Sequence, residues 1–201
     1  MTHLIIARHG NTFGPGDTPT RVGARTDIPL LQSGIEQAKS IHTYFKKNHI
    51  KPDIIYSSEL KRTQQTAEHA CPNMPITPLA CFNEIDYGPD ENQTEADVIA
   101  RIGQSAIDAW NQHAIVPPGW QVNPRAIIQN WLNFGAMLQK KHANQTIFVV
   151  TSNGIARFAP YLTNNFDAFC ENHAIKLKTG ALSAFSYINT AWQVNYWNLR
   201  P

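Results

Sequence analysis

Four consecutive apolar residues, Leu4 to Ala7, with Gly10 just beyond them, predict a short buried strand near the start of the chain. Ile147-Phe148-Val149-Val150 makes the same prediction more strongly, and Asp53 to Tyr56 forms a third run of this kind. Between them the period lengthens. Ile35, Ala38, Ile41 and Phe45 fall at helical spacing, with Ser33 and Glu36 placed as a capping box for a helix ending near His49. Ser57-Ser58-Glu59 is expected to open a second helix carrying Leu60, Arg62, Thr63, Thr66 and Ala67. Pro72, Pro75 and Pro78 bracket an extended piece at Ile76 to Leu79, and an acidic loop follows from Asn83 to Glu91.

Residues 94 to 113 and 124 to 142 read as helices separated by Pro117-Pro118-Gly119, and Ser152-Asn153-Gly154 turns the Ile147 to Val150 strand into another. Ala184 to Ile188 and Trp192 to Trp197, flanking Asn189-Thr190, predict a hairpin at a sheet edge. The alternation of strand and helix predicts an α/β fold: a three-layer α/β/α sandwich with a mainly parallel central sheet. No repeat or linker divides residues 1 to 201, so a single domain is expected, with a helical region over about 94 to 142.

Composition narrows the partners. Seventeen Lys and Arg against fifteen Asp and Glu give a formal charge of +2, too balanced for a nucleic-acid or membrane-binding face. No stretch approaches the roughly 18 apolar residues of a membrane span, and the N-terminus shows no signal-peptide pattern. The three cysteines, Cys71, Cys81 and Cys170, form no CxxC pair, which fits a reducing, cytoplasmic setting and argues against a disulfide framework or a cysteine metal site. Neither HExxH nor a paired Asp cluster is present, so no metal and no cofactor are implied. Oligomeric state is open.

The candidate chemistry lies just past strand ends, where sheets of this type bind ligands. Arg8-His9-Gly10 follows the first strand, Ser57-Ser58 with Arg62 the second, and Ser152-Asn153-Gly154 the Ile147 to Val150 strand. Together they offer an imidazole, two guanidiniums, hydroxyls, an amide and helix-start N–H groups, an inventory suited to a phosphate dianion. The breaker-rich stretch from residue 10 to 30 holds Asn11, Thr12, Arg21 and Arg25, which either bind the rest of a small phosphorylated substrate or are solvated loop residues.

These motifs resemble, in order, those of the histidine phosphatase superfamily, also called phosphoglycerate-mutase-like. Arg8-His9-Gly10-Asn11-Thr12 is similar to its nucleophile motif, Thr26-Asp27-Ile28-Pro29-Leu30 before Gly34 to its loop-to-helix entry, and Ser57 to Ala67 to its second-arginine helix. Phe82 to Gly88 resembles its proton-donor loop, and Val149 to Arg157 its closing strand and turn. The resemblance implies that His9 forms a phosphohistidine, that Arg8 and Arg62 bind the phosphoryl oxygens, and that Glu84 is the general acid, with Asp86 and Glu91 as alternatives in the same loop.

One position departs. Asn153 stands between Ser152 and Gly154 where the family carries a second histidine, and an amide can donate a hydrogen bond but carries no charge. Ser152 and Asn153 are expected either to form a phosphate cradle with nearby N–H groups or, for Asn153, simply to cap the following helix. Of the remaining histidines none is placed to substitute. Arg157 is read as facing a packing partner or solvent, and Trp110, Trp120 and Trp131 as core rather than lid. The activity implied is a metal-independent phosphomonoesterase; the alternatives are a catalytically impaired phospho-ligand-binding module and, less favoured, a phosphoglycerate mutase.

Overall fold

A computed structural model describes residues 1–201. Six strands form one sheet: β1 (Thr2–Arg8), β2 (Ile54–Ser57), β3 (Ile76–Pro78), β4 (Thr146–Thr151), β5 (Leu182–Ile188) and β6 (Ala191–Leu199), in the order β3-β2-β4-β1-β5-β6. The first four lie parallel, whereas β5 runs antiparallel to β1 and β6 antiparallel to β5 as the expected edge hairpin. Seven helices accompany the sheet: α1 (Gln32–Lys47), α2 (Lys61–Ala70), α3 (Glu95–Ile102), α4 (Gln104–His113), α5 (Pro124–Lys141), α6 (Asn153–Ala156) and α7 (Phe166–Asn172).

The continuous apolar runs are explained by burial on both faces. Successive strand side chains point to opposite sides, so Ile5, Ala7, Phe148 and Val150 meet Ile41 and Phe45 of α1 and Ala67 and Ala70 of α2. Leu4, Ile6, Ile147 and Val149 meet the larger core containing Trp110, Trp131, Phe134 and Leu138. Helix, sheet and helix thus form three layers. No helix is long and apolar enough to cross a membrane.

Three helix starts differ from the sequence expectation. α1 begins at Gln32 with Leu31 as its cap, so Ser33 lies inside the first turn, and Glu36 is held by Gln32 and Lys39 instead of completing a capping box. Ser57 ends β2 and Ser58 precedes Leu60, the cap of α2; the Ser58 hydroxyl accepts from the Leu60 N–H, so the serines shape the strand exit rather than start the helix. The stretch from 94 to 113 is two helices, divided at Gly103, whose φ of 80° is a conformation that favours glycine.

A glycine contact sets the mouth of the fold. A Cβ at Gly10 would lie 2.8 Å from Gly34 Cα, and one at Gly34 would lie 2.8 Å from Asn11 N, so the first turn of α1 touches the backbone just past β1. Only residues without side chains permit that approach.

Candidate active site

The ends of β1, β2 and β4 are knit together by backbone bonds: His9 N–H donates to Thr151 O at 3.0 Å and Ser58 N–H to Val150 O at 3.1 Å. Over them opens a cavity of about 410 Å³ whose lining includes Arg8, His9, Asn11, Thr12, Arg21, Glu84 and Asn153. Seven of the expected site residues are therefore brought to one surface from four separated stretches of chain.

His9 is buried, and its Nδ1 lies 2.8 Å from Gly10 O. A carbonyl can only accept, so Nδ1 carries the proton and Nε2 keeps its lone pair in the neutral ring. Burial holds the His9 pKa well below the ordinary imidazole value, and the Arg62 and Arg8 charges push it down further. The ring is neutral at pH 7. Gly10 N–H donates to Thr66 Oγ1 at 3.1 Å, tying the turn after β1 to α2.

Arg8 Nη1 donates to Leu177 O at 2.7 Å, leaving its Nε buried without a partner. Arg62 is fully buried but lies off the cavity lining: Nη1 donates to Thr26 O at 2.8 Å and Nη2 to Gly23 O at 3.1 Å, with Nε unpartnered. Its guanidinium thus clamps the loop between β1 and α1. Glu91 grips the same loop, accepting from the N–H groups of Gly23 and Arg25 and from Thr26 Oγ1. Glu91 is a structural anchor here, and Asp86 is occupied by Arg25 and Gly88 N–H.

Glu84 is the acidic side chain of that loop that reaches the cavity beside His9. Its Oε1 accepts from Ile85 N–H at 2.9 Å and its Oε2 from Gly154 N–H at 3.2 Å. Burial raises its pKa, and although those N–H groups and the Arg62 and Arg8 charges oppose the shift, the net direction is upward. The N–H at the start of α6 is consequently used by Glu84 rather than left free for an anion.

Asn153 neither caps α6 nor stands idle. No side chain caps that helix, and Asn153 Oδ1 accepts from Leu177 N–H at 2.9 Å. With its oxygen so engaged, its amide NH₂ remains as the donor for the cavity it lines. Arg8 and Asn153 therefore pin both backbone groups of Leu177. Ser152 corrects the expectation: it is fully buried away from the lining, with its hydroxyl unpartnered. Arg25 is also outside the cavity, donating to Gly88 O on the surface. Arg21 does reach it, paired with Glu95 and lying 5.3 Å from the Trp120 ring centroid and 5.7 Å from that of Tyr87.

Sequence reading missed Arg157, Lys176, Tyr87, Asn111 and Thr179, all on the lining. Arg157 faces a packing partner, one of the two expected alternatives, and also borders the cavity: it is 1% exposed, its Nη1 donates to Trp110 O at 2.6 Å, and its Cζ lies 4.0 Å from the Trp110 ring centroid. Burial lowers its pKa to about 10, so it stays charged at neutral pH. One signal was available. Arg157 sits in the run Ile155-Ala156-Arg157-Phe158-Ala159, with no acidic residue near enough in sequence to pair with it. Trp110, Trp120 and Trp131 are buried, as expected of core residues.

Comparison with known proteins places this geometry. Curated relatives include 2,3-bisphosphoglycerate-dependent phosphoglycerate mutases from Bartonella bacilliformis, 30% identical over 57% of this chain and 58% of the relative, and Leifsonia xyli subsp. xyli, 28% identical over 57% and 47%. Each match thus spans about half of the relative's length. Among solved structures, phosphoserine phosphatase from Entamoeba histolytica in complex with 3-phosphoglyceric acid has a TM-score of 0.79 at 23% identity, over 99% of this chain and 98% of that one. Alpha-ribazole phosphatase from Shigella flexneri has a TM-score of 0.74 at 23% identity, over 98% and 96%. At these identities the likeness is one of fold. A family comparison matches residues 4–200 to the histidine phosphatase superfamily (branch 1), and the chain belongs to that family.

Proposed function

We propose that the protein is a phosphomonoesterase that acts through a phosphohistidine at His9 on a small phosphorylated metabolite. The observation that carries this reading is the pairing of a neutral, correctly protonated imidazole with a carboxyl of raised pKa on one cavity wall. A neutral imidazole with a free Nε2 lone pair suits a nucleophile, and a carboxyl whose pKa burial raises suits an acid.

In the first step His9 Nε2 forms a bond to phosphorus as the ester oxygen leaves, and Glu84 gives that oxygen its proton. In the second, water attacks the phosphohistidine, Glu84 takes a proton from the water, and the N–P bond breaks to release inorganic phosphate. The Arg8 guanidinium and the Asn153 amide are the donors for the phosphoryl oxygens, with Arg62 adding field from behind the lining.

Asn153 favours one second reading, a phospho-ligand-binding module, because losing a charged donor in comparable sites costs about 2.7–4 kcal/mol of transition-state stabilisation. The mutase reading draws only on relatives matched over part of their length. All three are separated by measuring phosphate release from aryl, sugar and glycerate phosphates in the presence of chelator, for the intact protein and His9→Ala. Chelator-resistant release abolished in His9→Ala is expected. Equal background in both identifies a binder, and dependence on a bisphosphorylated species identifies a mutase.

A further inference from the structure

An amide side chain carries a donor on one side and an acceptor on the other, so a phosphate is bound only when the NH₂ is turned inward. Two asparagines line the cavity, Asn11 and Asn153. Which end each presents is decided by its neighbours. Leu177 N–H donates to Asn153 Oδ1 and so leaves the Asn153 NH₂ for the cavity. Asn11 is turned by the same segment, two residues on, where Thr179 Oγ1 donates to Asn11 Oδ1 at 2.5 Å.

Gln37 of α1 fixes the direction of that bond. Asn11 N–H can only donate, and it reaches Gln37 Oε1 at 2.8 Å, so the Gln37 NH₂ lies on the other side, with Nε2 3.5 Å from Thr179 Oγ1. An NH₂ cannot accept. The single proton of the Thr179 hydroxyl therefore goes to Asn11, and reversing the Asn11 amide would leave that proton with no acceptor, a cost that part-buried polar groups avoid. Asn11 Nδ2 has one long contact, 3.5 Å to Ser33 Oγ, which leaves a hydrogen for a ligand. The segment is itself tied down. Gly180 N–H donates to Arg8 O and His9 O, at 3.2 and 3.1 Å, and Lys178 N–H to Asn198 Oδ1 at 2.8 Å. With Arg8 Nη1 held on Leu177 O, the residues Leu177 and Thr179 together orient Arg8, Asn11 and Asn153.

We propose that Thr179 is a positioning residue for the phosphoryl group: its hydroxyl sets the polarity of the Asn11 amide, so that Asn11 and Asn153 meet the phosphoryl oxygens as a pair of oriented donors. The inference rests on the reading of the cavity as a phosphomonoester site. Donors preset in this way need no reorientation as charge develops. A second oriented amide offsets part of what the uncharged residue at 153 lacks. Thr179 also lines the cavity, so action through Asn11 has to be separated from direct contact with a ligand.

A double-mutant cycle makes that separation, with binding of inorganic phosphate measured by titration calorimetry. Thr179→Val keeps the shape and removes the hydroxyl. In the intact protein it is expected to weaken phosphate binding about 10-fold, the scale of one hydrogen bond to a charged group, and Thr179→Ser should keep affinity within about 3-fold of the intact protein. In an Asn11→Ala background the same Thr179→Val change should alter affinity by less than about 2-fold, because the group it acts through is gone. Thr179→Ala should repeat both results. An equal loss in the two backgrounds overturns the inference, as does unchanged affinity in a folded Thr179→Val or Thr179→Ala protein, or a loss in Thr179→Ser as large as in Thr179→Val. Release of phosphate from glycerol 3-phosphate is followed in parallel. A coupled cycle in a protein that binds phosphate but releases none overturns the esterase reading and leaves the role of Thr179 standing, whereas an intact protein that binds no phosphate overturns both.

Discussion

Gly154→Ala tests the placement of the acid without touching it. An added Cβ would overlap Glu84 Oε1 and stand 3.1 Å from Glu84 Cδ and 2.8 Å from Ile85 Cγ1. Comfortable carbon contacts are about 3.5–4.0 Å, so the carboxyl must retreat by about 0.5–1 Å. That movement also strains the bond from Gly154 N–H to Glu84 Oε2. A displacement of about 1 Å in a reacting group costs on the order of 100-fold in rate, whereas one extra methyl group in a packed interior costs about 1–3 kcal/mol of stability, which leaves a typical domain folded. The assay compares kcat/KM for glycerol 3-phosphate and 4-nitrophenyl phosphate. The alkoxide needs a proton and the nitrophenolate does not, so the loss should reach about 100-fold for the first and stay below about 10-fold for the second. A folded Gly154→Ala protein that keeps its activity on the alkyl ester within about 3-fold, or loses both activities equally, refutes the assignment of Glu84 as acid.

Three further outcomes are expected. Activity should follow a bell-shaped pH profile, rising as His9 loses its proton below the usual imidazole range and falling as Glu84 ionises above the usual carboxyl range; Glu84→Gln should lower kcat and abolish the alkaline limb in stopped assays across pH. Because the folded His9 pKa is depressed, its contribution to stability is fully present above the unfolded value of about 6.5 and is lost as pH falls toward the folded one, so His9→Asn should flatten the decline in Tm between about pH 7.5 and 5. Asn153→Ala strands the buried Leu177 N–H and should cost about 1–3 kcal/mol in denaturant unfolding, together with an increase of about 10-fold or more in the inhibition constant for inorganic phosphate.

What could be read from the sequence follows physical range. The strands at Leu4–Ala7 and Ile147–Val150 were legible because burial on both faces leaves an unbroken apolar run, and His9 because its position depends only on where β1 stops. Glu84 was legible through its motif. Ser33 and Ser58 misled because serine suits helix caps and strand exits equally, and tertiary contacts decided between them. Arg25 stayed open between two readings, and the place of Arg157 on the lining was missed, for one reason: whether an arginine is covered depends on chain that is remote in sequence. Trp110, far upstream, accepts and covers Arg157, while the Gly88 carbonyl draws Arg25 away over the surface. Lys176 reaches the site only because the segment after α7 is fastened to Arg8 and Asn153, two contacts that no local pattern encodes.

The bond from Leu177 to Asn153 limits what position 153 can become. A histidine there that accepted the Leu177 N–H through a ring nitrogen would have to remain neutral, since an imidazolium donates from both nitrogens and accepts from neither. Restoring a charge at 153 therefore releases the neighbouring segment, and keeping the segment forbids the charge. A histidine at 153 that keeps the segment therefore offers the cavity one neutral ring N–H, the same kind of donor as the Asn153 amide, so a substitution at 153 acts on residues 174 to 180 as well as on the cavity.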